Sequence, residues 1–364
     1  MTTSSRVETR QRILFLSHSH AFRSFRVGSH HYARELAHHG ADVVHLSTPI
    51  SRFHRILGRV SREEESAVPR GSHTDVDGVT HLVPRTTLPV PYGRFTVKSE
   101  LMRNGISVRF DAVLIDQPLL WDNTVRTLAP RLVYRPTDLY PSGVKSRIQQ
   151  RIAVFADGVI ATSEEVLRSL GNLTKPTLVL GNGVDVSHFV RSIQEAESTH
   201  PVCVYVGALD QRFDWTQVDA WARAFRGVRF VVAGPAPRPP AGLPRNVELV
   251  GAVPYASLPE LLGGARVGVL PLSDDPLNAG RSPMKLYEYL AAGLSVVSRR
   301  TPAISTDEAA GIFTYSKADA NDALRRALAH AAPNFAGVYR AHGETWKAKA
   351  SQLLAFLEGF PDTR

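Results

Sequence analysis

Short apolar runs alternate along this chain with stretches whose apolar residues recur every three or four positions. Arg12 to Ser17 (RILFLS) predicts a first strand, and Gly28 to His39 predicts a helix stopped at Gly40. Val43 to Leu46, Val79 to Val83, Asp111 to Asp116, Arg131 to Tyr134 and Gly158 to Ala161 predict further strands, with helices over 118–128 and 145–156. A strand within Pro176 to Val186 ends in an Asn-Gly turn, and the polar stretch Arg191 to His200 marks a domain boundary. The alternation then restarts. Strands are predicted at Val202 to Val206, Arg229 to Ala233, Val247 to Val250, Val267 to Leu270, Ser295 to Ser298 and Gly311 to Tyr315. Helices are predicted over 215–225 and 255–263, at Met284 to Ala292 and at Asp319 to His330. Strands separated by helices pair in parallel, so the class is α/β: two Rossmann-like doubly wound domains, with ligand expected at the strands' carboxyl ends in a central cleft. The division is 1–190, 191–335 and a C-terminal segment, 336–364.

Composition narrows the class. With 364 residues, 43% of them apolar and 21% charged, the chain suffices for two domains with their own cores, and disordered or collagenous chains are excluded. The single cysteine, Cys203, has no internal partner, which points to a reducing compartment and away from a zinc site. No apolar run approaches the ~20 residues that span a bilayer. The opening MTTSSRVETR lacks the apolar core of a signal peptide, so a cytoplasmic protein is expected. Val68 to His73 (VPRGSH) looks like a cleavage-tag scar, yet it lies mid-chain and is read as sequence.

The net charge of +9 is uneven: residues 1–180 hold +8, of which residues 1–110 hold +7, and residues 181–364 hold +1. A one-sided positive field points to an anionic partner such as nucleic acid, acidic lipid or a phosphorylated substrate. Ile50 to Arg62 (ISRFHRILGRVSR) has apolar residues at 50, 53, 56, 57 and 60 and arginines at 52, 55, 59 and 62. That spacing suits either an interfacial membrane helix or a core helix with a solvated basic face. More basic and aromatic residues at Pro91 to Arg103 favour a surface near acidic lipid. Nucleic acid is not expected, because no recognition motif appears and the second half is nearly neutral.

The most informative stretch is Arg281 to Ser298 (RSPMKLYEYLAAGLSVVS). Ser282 suits a helix cap and Pro283 the first helical position, and the free N–H groups there, flanked by Arg281 and Lys285, make an anion site beside Met284. Glu288 follows Lys285 by three on nearly the same face. A carboxylate one turn from a phosphate site suits the paired hydroxyls of a nucleotide ribose. The same spacing also fits an ordinary amphipathic helix.

KLYEYLAAGLSVVS resembles the donor-nucleotide motif of GT-B glycosyltransferases, in which this helix carries the ribose-binding Glu. The opening strand, the Gly28 to Gly40 helix, the Gly181 to Asp185 turn and Val206-Gly207-Ala208-Leu209 follow in the order of that family. The resemblance implies a GT-B fold, with the C-terminal helix crossing back to the first domain and Trp346 as its packing anchor. It also implies donor-binding roles for Gly207, Arg281, Ser282, Met284, Lys285 and Glu288. The commonest retaining family of this fold has a second Glu eight residues before the ribose Glu; here that position is Gly280. Gly28 to His31, Ser47 to His54, Tyr134 to Asp138 and Gly207 to Asp214 resemble instead the bacterial glucuronosyltransferases of xanthan exopolysaccharide assembly. Those enzymes are inverting and metal-independent, use UDP-glucuronate, and act on a polyprenyl-diphosphate-linked saccharide at the inner face of the plasma membrane.

The resemblance implies Asp138 as catalytic base. A carboxylate at a strand's carboxyl end can take the proton of the attacking acceptor hydroxyl. From sequence alone Asp138 reads first as a turn residue before Pro141, and His18 or His20 is the alternative base. Arg23 and Arg26, with the helix start at Gly28 and Ser29, are candidates for the acceptor's diphosphate. Asp75-Val76-Asp77 matches a DxD metal signature but sits beside Gly78 in a loop and reads as a turn. No metal or other cofactor is expected; the UDP-sugar is a co-substrate. The remaining alternatives are a retaining transferase of the same fold and a non-catalytic two-lobed binding protein.

Overall fold

The structure, a computed structural model, describes residues 10–23, 25–57, 62–90, 92–190, 193, 201–235, 239–282 and 284–360. Most of the opening polar segment, nearly all of the 191–200 stretch, residues 58–61 and Pro283 therefore lie outside the described residues. The chain divides into two compact units. The first runs to Ala161 and includes Leu167–Leu180 and the residues from Ala350 onward; the second comprises Thr162–Val166 and Gly181–Lys349.

The first unit is built on strands β1 (Arg12–Ser17), β2 (Asp42–Ser47), β3 (Ile50–Ser51), β4 (Ser72–Thr74), β5 (Thr80–Leu82), β6 (Arg85–Thr86), β7 (Ala112–Ile115), β8 (Arg131–Tyr134), β9 (Gly158–Ala161) and β10 (Thr177–Val179). Eight of them form one sheet in the order β10-β9-β8-β7-β1-β2-β5-β4, and β3 pairs with β6. Every pair is parallel except β4 with β5. The inner strands are buried on both faces, which is why they read as near-continuous apolar runs. The order reverses between β1 and β7, so a crevice opens where His18 follows β1 and Asp116 follows β7.

The second unit has β11 (Val202–Val206), β12 (Arg229–Ala233), β13 (Val247–Gly251), β14 (Val267–Leu270), β15 (Ser295–Arg299) and β16 (Ile312–Tyr315). They form one parallel sheet ordered β13-β12-β11-β14-β15-β16. This is the doubly wound dinucleotide-binding order, with its switch point between β11 and β14.

Four sequence expectations change. The helix over 118–128 is two short turns, Pro118–Leu120 and Val125–Thr127. Between them the Asp122 carboxylate accepts the N–H groups of Thr124 at 2.8 Å and Val97 at 3.2 Å, offering the backbone an alternative to the helix. Secondly, Ile50 to Arg62 is not one helix: β3 is followed by a helix of only five residues, Arg52–Ile56, whose cap is the Ser51 hydroxyl. Its apolar side chains do not enter a core, since Phe53, Ile56 and Leu57 are exposed, and the core-helix alternative fails. Thirdly, the segment Gly181 to Asp185 and the helix Phe335–His342 belong to the second unit, where Val184 donates its N–H to Glu344 O at 2.9 Å. Lastly, Trp346 anchors within the second unit against Gly183, and it is Phe356 and Phe360 that pack on Gly158 of the first. The VPRGSH stretch is integral, with Val68 buried and β4 paired to β5. Asp75 is the expected turn residue, accepting the N–H groups of Asp77 and Val79 at 3.0 Å. No helix among the described residues is long and apolar enough to cross a membrane.

Candidate functional site

In the second unit the site candidates gather at the carboxyl edge of the sheet. Gly207 follows β11, and its N–H donates to Ala233 O at 3.0 Å. A side chain at Gly234 would start 1.8 Å from Gly207 O, so the two strand ends approach closely only because residue 234 is glycine. The Tyr205 hydroxyl, which would meet a Cβ at Gly207 at 2.6 Å, donates to Ala208 O at 2.9 Å and also bonds the Arg281 guanidinium.

Arg281 acts on a second group, the Asp210 carboxylate. Arg212 grips the same carboxylate, with Nη2 2.9 Å from Oδ2 and its backbone N–H 3.0 Å from Oδ1. Burial works to raise the Asp210 pKa; the bonds and charge of Arg212 and the charge of Arg281 override it and hold the carboxyl below its usual value. Asn278, on the loop after β14, donates to Arg212 O and Ser273 O, both at 3.1 Å, and so ties that loop to the one after β11. Arg212, Asp210 and Asn278 were absent from the sequence-based candidates. The signal for Asp210 and Arg212 was the segment Gly207 to Asp214 that contains them and carries the family resemblance.

Ser282 is held from another segment. Its hydroxyl accepts the Asn182 N–H at 2.9 Å and its carbonyl accepts Asn182 Nδ2 at 2.6 Å. A Cβ at Gly181 would lie 2.8 Å from that hydroxyl, which explains the glycine before Asn182. The helix Met284–Ala291 then begins with Met284 half-buried. One turn on, Lys285 Nζ donates to Glu288 Oε2 at 2.6 Å, with Glu288 only 3% exposed. The other oxygen of Glu288 makes no hydrogen bond to the described residues. A carboxylate oriented by a lysine, with one oxygen open, can accept from sugar hydroxyls.

In the first unit His18 follows β1 and Asp138 lies four residues beyond β8. They are electrostatic neighbours. Although the His18 ring reaches solvent, the surrounding protein lowers its pKa, and the carboxylates of Asp116 and Asp138 pull the other way. Beneath them Arg135 and Asp116 form a fully buried ion pair, with Arg135 Nε 2.8 Å from Oδ1. Arg135 also lies 4.8 Å over the Tyr32 ring. His20 differs from His18: its ring is buried and its pKa is pushed down to about 4, mainly by burial and further by Arg23, making it the weaker base.

Gly28 begins an eleven-residue helix, but Ser29 is turned inward. Its hydroxyl lies 2.7 Å from Ser17 Oγ and 3.2 Å from His45 Nε2, so it is committed to the interior rather than to an anion at the helix start. Around it lie buried histidines, with the His30 and His45 rings 4.9 Å apart and His45 and His81 5.4 Å apart. Arg26 is half-buried and Arg23 stacks 5.7 Å over Phe25. Ser29 was named from the sequence, whereas the buried His45 and His81 of this layer were not.

Residues 200–332 match the family described as glycosyl transferases group 1. No curated protein matches the sequence. Among solved structures, a sucrose-phosphate synthase from Thermosynechococcus elongatus is similar at 16% identity, with a TM-score of 0.71, covering 96% of this chain and 98% of that one. HepE of Anabaena, solved with UDP and glucose, is similar at 16% identity and a TM-score of 0.66, covering 96% and 100%. A glycosyltransferase from Rickettsia africae gives 12% identity and 0.67, covering 98% and 100%. The chain thus has the GT-B fold, and its second unit carries the group 1 glycosyl transferase pattern.

Proposed function

We propose that the protein is an inverting glycosyltransferase that moves a sugar from a UDP donor to a lipid-linked saccharide at the cytosolic face of a membrane. The observation that carries this reading is the pairing of Lys285 with Glu288, one turn behind Arg281, inside the segment that matches group 1 glycosyl transferases. HepE, of the same fold, was solved with UDP and glucose, which supports a UDP-linked donor. In the proposed reaction the open oxygen of Glu288 accepts from the ribose hydroxyls. An acceptor hydroxyl attacks the anomeric carbon while the bond to the diphosphate breaks, and UDP leaves with the electron pair. Asp138 takes the acceptor's proton, with His18 beside it. Arg281, Lys285 and Arg212 stabilise the charge growing on the diphosphate in place of a metal ion.

Glucuronate as the sugar rests on the resemblance to the xanthan-assembly enzymes; the retaining alternative is weakened by Gly280 in place of a second Glu. Thermal stabilisation by UDP-glucuronate against UDP-glucose and UDP-galactose tests the donor, because the preferred ligand raises the apparent stability most. The anomeric configuration of the product decides between inversion and retention. Absence of turnover with any UDP-sugar despite tight binding would leave the binding-protein reading standing instead. Asp138→Asn protein that binds UDP normally and turns over at the wild-type rate would end the base assignment.

A further inference from the structure

The basic segment after β2 and the loop before β4 enclose a feature that the reaction does not use. β3 and β6 prolong β2 and β5 beyond the carboxyl edge of the first unit's sheet, and against them lies an open pocket of about 1040 Å³. Among the described residues its charged lining is four arginines, Arg55, Arg62, Arg70 and Arg85, and one carboxylate, Glu65.

The arginines are not equivalent. Arg85 builds the wall, donating to Val68 O at 2.9 Å and Pro69 O at 3.2 Å, and Arg55 pairs with Glu65 at 3.2 Å. Arg62 and Arg70 make no hydrogen bond or ion pair with any described residue. Two guanidiniums that line one pocket with no carboxylate partner among the described residues repel each other, and a group carrying two negative charges removes that repulsion. The guanidinium fork matches phosphate oxygens in pairs, which a single-charged diester headgroup satisfies less completely. Beside the pocket, Ile56 is 78% exposed and Leu57 51%, an apolar rim that water does not favour. A cationic pocket with an apolar lip suits an amphiphile that is anionic at the head and apolar behind it.

We propose that this pocket binds the phosphomonoester or diphosphate headgroup of a membrane lipid, and that Arg62 and Arg70 select it over diester headgroups. The inference deepens the membrane-facing reading of the acceptor given above and rests on it. The test uses the full chain and neutral vesicles doped either with a lipid phosphomonoester or with phosphatidylglycerol, matched in net surface charge. The expected result is about tenfold tighter binding to the phosphomonoester vesicles, the size of one charge-assisted hydrogen-bonded pair. Arg62→Ala with Arg70→Ala should abolish the preference. Arg62→Lys with Arg70→Lys should abolish it too while keeping the general attraction to acidic vesicles, which separates fork recognition from net charge.

Equal binding to both vesicles, or a preference that survives both double variants, overturns the proposal. So does stabilisation by inorganic diphosphate through Arg62 and Arg70 without any vesicle preference, which would make the pocket a site for free phosphate. UDP affinity, measured in the same variants, reports whether the fold and the donor site are intact. A pocket that selects lipid in a protein that turns over no UDP-sugar sinks the transferase reading and leaves the pocket standing.

Discussion

Arg135 and Asp116 hold each other through two hydrogen bonds in the interior of the first unit, with the arginine 1% and the aspartate 0% exposed. The pair joins the ends of β7 and β8, three residues before Asp138. Its charges are out of water, so removing one partner strands the other. Asp116→Ala is expected to cost about 3–5 kcal/mol, whereas Asp116→Leu combined with Arg135→Met should cost less than either single change. Urea unfolding of the wild type, Asp116→Leu, Arg135→Met and the double variant checks this, and additive losses would contradict it.

The Lys285–Glu288 pair makes a different prediction, because one oxygen of Glu288 is open. Glu288→Gln keeps the shape and loses the charge that strengthens hydrogen bonds from sugar hydroxyls. The expected loss of UDP affinity is about 10- to 100-fold, from charge-assisted bonds of about 1.5–3 kcal/mol. Calorimetric titration with UDP against uracil gives the readout: uracil, lacking the ribose, should lose nothing.

Asp210 acts through Arg212. With Asp210→Asn the guanidinium loses its bidentate partner, and Arg281 loses a counter-charge. KM for the donor is not expected to rise, because the net positive charge around the proposed diphosphate site increases. The rate constant kcat should fall about tenfold as Arg212 loses its orientation, worth about 1.4 kcal/mol at the transition state. An equal change in KM and none in kcat would reduce Asp210 to a structural residue.

The buried histidines fix the direction of the pH dependence. His30 Nδ1 accepts the Val27 N–H at 3.2 Å, so its Nε2 carries the hydrogen donated to Ser19 O at 2.9 Å and the ring is neutral. Burial, outweighing that bond, pushes its pKa down to about 3, and burial with neighbouring rings holds His45 well below its ordinary value. In the unfolded chain each titrates near ~6.5. Below that pH the unfolded state binds protons that the folded state refuses, so stability is greatest above it and falls as the pH drops, by up to ~1.4 kcal/mol per pH unit for each ring. Hydrogen exchange of residues 12–47 should accelerate between pH 7 and 5 relative to residues 202–233. A flat profile in the first unit would refute the neutral layer.

How much of this was legible in the sequence follows from the range of the forces involved. The strands β1, β7, β11 and β14 are short runs buried on both faces, and such runs are local. Lys285 and Glu288 were legible for the same reason, since three residues on a helix make a contact. Asn182 on Ser282, by contrast, joins positions a hundred residues apart, and Arg212 reaches Asn278 only because a parallel sheet brings successive loops to one edge. The failed helix at Ile50 to Arg62 has a physical lesson of its own. Helical spacing describes which residues would share a face, but with Ile50 drawn into β3 and no core to cover Ile56 and Leu57, too few residues remained to sustain a long helix.

His18 and Asp138, the candidate bases in the sequence, are electrostatic neighbours, which yields a prediction independent of turnover. The Asp138 carboxylate favours the protonated imidazole, while the surrounding protein, with Arg135 and Lys145, disfavours it. Asp138→Asn removes an opposing charge, so the His18 pKa must fall further, and Lys145→Met removes a like charge, so it must rise. Ring resonances of His18 followed by NMR through a pH titration give both shifts. A His18 pKa that does not move in Asp138→Asn means the two groups are not coupled, and the base would then be assigned by kinetics of the single variants alone. If His18 and Asp138 together serve as the proposed base, activity in Asp138→Asn should fall most steeply at low pH, where the weakened imidazole is protonated and no carboxylate remains to act.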